Sequence, residues 1–311
     1  MNTTGNVAMD SITKEYFDSR IQTVAEPMLV HRLLGVQGMI PQGNGNQIIY
    51  PRIGAKPTVK TTLVEGVTPA PGSANLDKVV GTCEQIGYYE VHSDLLVLTI
   101  DDSFMQAQNS AMGDQAARSI DWRTCMDLSQ GTSVFRAGNR ATRGEITSSD
   151  TATYDDLRVI STMLANVNAR RFGGLNRYVG FLHPNVKHDL SKQQIWLDQI
   201  KNNPNPEALA QFGSFYIGDA FGITWVESTE TRVFEGEGAD NINVYGTQIV
   251  AQGFYGWHSL QNLEFIAKQL GSAGTADALD QRSSTGWKTA FGTTILFDQY
   301  GVRYECSSSL G

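Results

Sequence analysis

The chain has 311 residues, 41% of them hydrophobic and 18% charged, with 31 glycines and a formal net charge of −8. That length supports one large domain or two smaller ones, each with a core of its own. An acidic balance argues against tight DNA or RNA binding through a basic face, and three widely spaced cysteines (Cys83, Cys125, Cys306) argue against a disulfide framework or zinc site.

The thiols are expected to be reduced, as in a protein made in the cytosol. Met1-Asn2-Thr3-Thr4-Gly5 has neither a basic nor an apolar signal region, so no signal peptide is expected. The longest apolar stretch, Leu95 to Ile100, is too short to span a bilayer.

Residues 11–35 read as a helical arm. Tyr16, Phe17, Ile21 and Val24 recur at helical spacing, Pro27 interrupts them, and Gly35 is the stop. Gly43-Asn44-Gly45-Asn46 is a turn, followed by a short strand over Gln47-Ile48-Ile49-Tyr50. Residues 55–92 read as a long β-hairpin. Val59 to Val64 form its first strand, and Val79, Val80, Ile86, Tyr88, Tyr89 and Val91 its second. The breaker between them is Glu65-Gly66-Val67-Thr68-Pro69-Ala70-Pro71-Gly72. Two strands alone are marginal in water, so this hairpin must lean on something else.

The longest helix is expected over 101–129. Asp101 and Asp102 suit its positive N-terminal end, and Gly131 supplies the stop. Met105, Met112, Ala116 and Ile120 share one face, as a core helix requires. A second helix starts at Thr153, whose spacing to Asp156 resembles a capping box, and Leu157, Ile160, Leu164 and Val167 form its apolar face. Tyr178 to Leu182 is a buried strand ended by His183-Pro184, and a short helix through Val186 and Leu190 follows. Residues 201–207 read as a loop. Strands follow at Phe215 to Gly218, Ile223 to Glu227 and Asn243 to Gly246, so 153–250 reads as an α/β unit. The C-terminal section returns to β structure, with Tyr300, Val302 and Tyr304 pointing one way and Arg303 and Glu305 the other.

No catalytic constellation emerges. His183 and His188 are five apart, on different helix faces, and the sequence has no H-E-x-x-H and no G-x-S-x-G. Gly286-Trp287-Lys288-Thr289 is no P-loop, because Trp287 separates glycine from lysine and the earlier glycine is replaced by Gln281. Asp155 and Asp156 suit a helix start. Trp196, Trp225 and Trp257 read as core residues. No catalytic, cofactor-binding or metal-binding residue is therefore assigned.

Six segments, in order, resemble one family. They are Glu15-Tyr16-Phe17-Asp18 with Ala25-Glu26-Pro27-Met28-Leu29-Val30, Leu63-Val64-Glu65-Gly66-Val67-Thr68-Pro69, Gln85-Ile86-Gly87-Tyr88-Tyr89-Glu90-Val91, Asp114-Gln115-Ala116-Ala117-Arg118-Ser119-Ile120-Asp121, Phe181-Leu182-His183-Pro184-Asn185-Val186, and Ala278-Leu279-Asp280-Gln281-Arg282-Ser283 with Gly286-Trp287-Lys288. The family is the major capsid proteins of phage N-four and related tailed double-stranded DNA phages, so the chain resembles a protein of the Hong Kong 97 capsid fold.

The resemblance implies an α+β chain with an N-terminal arm (1–45), an extended β-loop (46–92), a peripheral domain with a long spine helix (93–152 and 251–311) and an axial α/β domain (153–250). It implies a structural protein and no enzyme, without cofactors, whose copies assemble as hexamers and pentamers into an icosahedral virion shell. The shell would form in the host bacterial cytoplasm. It would enclose DNA without specific binding and without a membrane, and would meet a portal protein and scaffold or decoration proteins. An arm beginning within the first fifteen residues leaves no room for a leading scaffold segment, so a separate scaffold or unaided assembly is expected. Lys56, Lys60 and Lys78 lie in the loop where some relatives crosslink covalently, but nothing marks one as reactive. Glu65, Asp280, Gln281, Arg282 and Lys288 are the candidate inter-subunit contacts. Two alternatives stand beside this reading: a bacterial nanocompartment shell protein of the same fold, and a soluble α/β enzyme with an unrecognised site.

Overall fold

The computed structural model describes residues 30–310, apart from 54–55, 57, 61, 64, 69–71, 73–75 and 100–101. The predicted arm up to residue 29 lies outside the described residues.

Strands β1 (Val36–Met39), β2 (Gln47–Ile53), β3 (Leu76–Thr82) and β4 (Glu84–Ser93) come first, then helices α1 (Asp94–Thr99) and α2 (Asp102–Leu128). The middle of the chain holds β5 (Val134–Arg136), α3 (Tyr154–Asn166), β6 (Tyr178–Leu182), α4 (Pro184–Ser191), α5 (Gln194–Asn202), α6 (Pro206–Phe212), β7 (Tyr216–Ala220), β8 (Ile223–Glu227) and β9 (Arg232–Phe234). The last strands are β10 (Val244–Val250), β11 (Tyr255–Lys268), β12 (Arg282–Ile295) and β13 (Gly301–Cys306).

These strands build three sheets. A seven-stranded sheet runs β5-β13-β10-β6-β8-β7, with β9 also on β10. All residues of β6 and β10 are buried, because both faces of this sheet are covered. One face carries Leu157, Ile160, Leu164 and Trp196, the other Val179, Phe181, Val250 and Phe254. Trp196 meets Trp225 edge-on, ring centroids 5.5 Å apart. The second sheet runs β1-β11-β12-β4, and the third is the hairpin β2-β3.

Helix α2 bridges the first two sheets. Met112 and Ala116 pack on Trp287 and Ile86 of the four-stranded sheet, while Leu128 packs into the core of the central one. Its start, length and buried Met112, Ala116 and Ile120 match expectation, and the buried side extends to Asp121, Thr124, Cys125 and Leu128. Helix α3 begins as its sequence predicts, with Thr153 accepting a bond from the Asp156 amide, and buries Leu157, Ile160 and Leu164.

Several expectations need correction. Val59 and Leu63 are unpaired and 82% and 77% exposed, so the first hairpin strand is β2, and it pairs from Gln47↔Thr82 to Ile53↔Leu76. Strand propensity at 59–64 finds no ladder partner among the described residues, and propensity alone does not make a strand. The predicted second strand is two strands in different sheets, separated at Cys83. Val167 is the C-terminal cap of α3 and leaves the buried face. The loop over 201–207 is shorter than expected, because α5 runs to Asn202 and α6 starts at Pro206. Strand β13, within the expected peripheral residues 251–311, pairs antiparallel with β10 of the expected axial residues from Tyr245↔Cys306 to Val250↔Gly301. Its Tyr304 and Glu305 sides are both buried, a requirement that only an inner strand of the central sheet meets.

Candidate assembly surfaces

Three internal junctions hold the chain's exposed surfaces in place. At the first, residue 31 wedges between α2 and the sheets. The His31 amide donates to Asp121 at 2.9 Å, its Nδ1 lies 2.7 Å from the same carboxylate, and both side chains are buried. The Tyr255 hydroxyl donates to the His31 carbonyl. Burial alone would strip the imidazole proton, but the Cys125 sulfur and the Asp121 carboxylate outweigh it, and the His31 pKa rises to about 10. Beside it the Arg32 guanidinium stacks 3.7 Å over Trp257.

The second junction centres on Glu305, which is fully buried. Arg136 Nε lies 3.0 Å from it, Arg303 Nε 2.8 Å and Arg143 Nη2 2.6 Å. Arg143 also pairs with Glu237, and Arg303 donates to the carbonyls of Ser129 and Gly131 just past α2. Burial raises the Glu305 pKa, but Arg143 and Arg303 more than offset it and hold the carboxyl below its ordinary range. This cluster ties β5, β13 and the end of α2 together.

The third junction is the seam under the hairpin. His258 of β11 is buried beneath Gly81 of β3 and beside Gly292 of β12. A Cβ at Gly81 or Gly292 would lie 2.9 or 2.8 Å from Nε2, so only glycine leaves room for the ring. The Tyr50 hydroxyl is 3.5 Å from Nδ1, and Arg52 donates to the Leu296 carbonyl at 3.1 Å. Burial, only partly offset by the Thr82 backbone, pushes the His258 pKa down.

The hairpin's inner face is thus spent on its own chain, and its outer face is not. Ile49 stands opposite Val80 and Ile53 opposite Leu76, with exposures of 57, 44, 64 and 70%. Sequence reasoning missed this apolar ladder. The alternation Ile49-x-x-x-Ile53 was available, but the strand limits that reveal it were misplaced. It also missed Trp122 of α2, which is half exposed beside a cleft of about 410 Å³ lined by Tyr88, Arg118, Arg123 and Trp287.

The five predicted contacts fall in two places. Glu65 occupies an exposed turn with Gly66. Asp280, Gln281 and Arg282 lead into β12, and Lys288 lies within it. Asp280 takes a left-handed conformation (φ 53°), and the Gln281 carbonyl accepts from Asp94. Arg282 Nε is 3.6 Å from Asp277, and Lys288 Nζ is 3.6 Å from Glu264. The two cations therefore already have partners in their own chain, Arg282 with the buried Asp277 and Lys288 with the exposed Glu264 in a pair worth about 0–1 kcal/mol.

Among the described residues no three His, Cys, Asp or Glu side chains are placed to hold a metal ion. His183 caps α4 by accepting from the Asn185 amide at 3.1 Å. All three cysteines are buried and unpaired.

No protein-family model matches the sequence, and no curated protein does. Solved structures match along nearly the whole chain. The capsid of cyanophage P-SCSP1u is 12% identical with a TM-score of 0.68, covering 99% of this chain and 97% of its own. The capsid of Ralstonia phage GP4 is 11% identical with a TM-score of 0.69, covering 95% of both chains. The mature capsid of bacteriophage PhiM1 is 15% identical with a TM-score of 0.63, covering 94% of this chain and 91% of its own. The chain has the α+β, Hong Kong 97-type fold of phage capsid proteins.

Proposed function

We propose that the chain is the major capsid protein of a tailed bacteriophage, whose copies tile as pentamers and hexamers into an icosahedral shell around double-stranded DNA. The observation that carries this reading is the Ile49/Val80 and Ile53/Leu76 ladder, open to solvent on the single chain. The two exposed apolar rungs flank the Pro51/Lys78 rung on one face. Exposed apolar surface of this kind marks a contact with a partner, and a second copy of the chain is the partner proposed. Each contact can be modest, because a closed shell multiplies it. The net charge of −8 suits a wall that encloses DNA without binding it.

The proposed division is the arm (1–45), the loop (46–92), a peripheral part (93–152 and 251–311) and an axial part (153–250), with β5 and β13 of the peripheral part extending the sheet of the axial part. Glu65, Asp280, Gln281, Arg282 and Lys288 are the proposed polar contacts between copies. The role is structural rather than catalytic. The protein would reside in the virion after assembly in the bacterial cytoplasm, with a portal protein and scaffold or decoration proteins as further partners. Among the described residues no helix is long and apolar enough to cross a membrane.

Replacing Ile53 and Leu76 together by lysine tests the reading. Both side chains are mostly exposed, so the subunit should melt as before while the yield of sedimenting shells collapses. An undiminished yield of shells would reject the ladder as an assembly surface.

A further inference from the structure

We propose that Asn44–Gly45 is a site of spontaneous chemical modification, at which water converts the asparagine into aspartate and isoaspartate. It is the single Asn-Gly pair in the sequence. It lies in the connection between β1 and β2, and both residues are exposed. Gly45 adopts φ +80°, and no atom lies within 4 Å of where a Cβ would stand, so the glycine side of the turn is open. The turn's backbone bond is made by the Asn44 amide, which donates to Pro41 at 3.3 Å. Among the described residues the Gly45 amide belongs to no helix, strand or turn bond.

In the first step the Gly45 backbone nitrogen attacks Cγ of the Asn44 carboxamide. The new N–Cγ bond closes a succinimide, the Cγ–Nδ2 bond breaks, and Nδ2 leaves as ammonia with the proton that Gly45 gives up. Water then opens the ring. Attack at the side-chain carbonyl gives aspartate, and attack at the main-chain carbonyl gives isoaspartate, which routes the backbone through the side-chain methylene. Either product adds one negative charge to a chain already at −8.

Other asparagines lack this combination. Asn109 is exposed, but the following amide is inside α2, where the helix ladder engages it. Asn168 has a left-handed backbone, but the Ala169 amide after it donates to Leu164 at 3.0 Å. The position also matters. Asn46, two residues on, accepts the bond from the Cys83 amide (2.8 Å) that closes the foot of the hairpin. An isoaspartate at position 44 lengthens the backbone beside that clamp.

Peptide mapping by mass spectrometry of the full-length protein, kept in warm, mildly alkaline buffer, tests the proposal. Asn44 should lose its amide and yield both acidic isomers, roughly tenfold or more faster than Asn109, whose following amide must first leave its helix. The Asn44→Gln variant should show no conversion at this position while all other peptides age as before. Retention of the Asn44 amide, or conversion no faster than at Asn109, would overturn the proposal. The outcome does not depend on whether the chain forms shells.

Discussion

His31 and Asp121 join the segment before β1 to the middle of α2 through two hydrogen bonds to one buried carboxylate, across 90 positions of sequence. Despite its burial, the His31 imidazole holds its proton in the fold because Cys125 and the Asp121 carboxylate lie beside it, so the two side chains depend on each other. Removing one partner of a buried ion pair costs about 3–5 kcal/mol, because the remaining charge stays uncompensated. Asp121→Asn should therefore lower the unfolding free energy by an amount in that range, measured by denaturant titration at neutral pH. A loss under about 1 kcal/mol would mean that the pair is not charged or not buried.

His31, with Cys125 and Asp121 beside it, sets an alkaline limit. The folded pKa of His31 is raised to about 10 from 6.5, so its stabilising contribution is complete below about pH 6.5 and is lost as pH rises through about 10. Wild-type stability should fall across that window, and Asp121→Asn should flatten this part of the curve. Parallel curves for the two proteins would contradict the assignment.

His258 predicts the opposite behaviour in acid. Its folded pKa lies below 6.5, so the folded state takes up its proton less readily than the unfolded chain, and stability is lost as pH falls below about 6.5. The loss should be local. Hydrogen exchange, corrected for its intrinsic pH dependence, should accelerate over β2 and β3 at about pH 5 and not over β6 or β10. His258→Gln should remove the difference. Uniform protection of the hairpin in both proteins would show that the seam does not sense the imidazole.

Gly292→Ala should damage the same seam by crowding. The added methyl would run into the Thr82 backbone carbonyl of β3 and lie 2.8 Å from His258 Nε2, closer than folded packing allows. Overpacking of this kind costs about 1–3 kcal/mol. Calorimetry should show a lowered melting temperature, and an unchanged one would mean that the hairpin lifts at no cost.

Glu305→Gln leaves Arg136, Arg143 and Arg303 around an uncharged group, so three cations lose their shared counter-charge. The expected loss is about 3–5 kcal/mol, whereas Lys288→Ala, at a half-exposed pair, should cost about 0–1 kcal/mol. Comparable losses in the two variants would contradict the central place given to Glu305.

What the sequence made legible was local. Thr153 and Asp156 announce the start of α3, a continuous apolar run announces β6, and acidic residues before a small-residue stripe announce α2. Contacts set by partners distant in sequence were not legible. Strand β1 exists because it pairs parallel to β11, and Val59 and Leu63 lie in no strand despite good propensity because the described residues offer them no partner. Glu305 looked like one face of an ordinary strand until Arg136 and Arg143 folded over it. Among the candidate contacts, charge drew attention to Arg282 and Lys288, which already have partners. The open ladder of Ile49, Ile53, Leu76 and Val80 became visible only once the hairpin register was known.

The most direct measurement is electron microscopy of the purified full-length protein, alone and co-expressed with candidate scaffold proteins. Closed polyhedral shells of uniform size, lost with the Ile53→Lys and Leu76→Lys pair, are the expected result. Single dispersed subunits under every such condition, with no shell at any concentration, would contradict it.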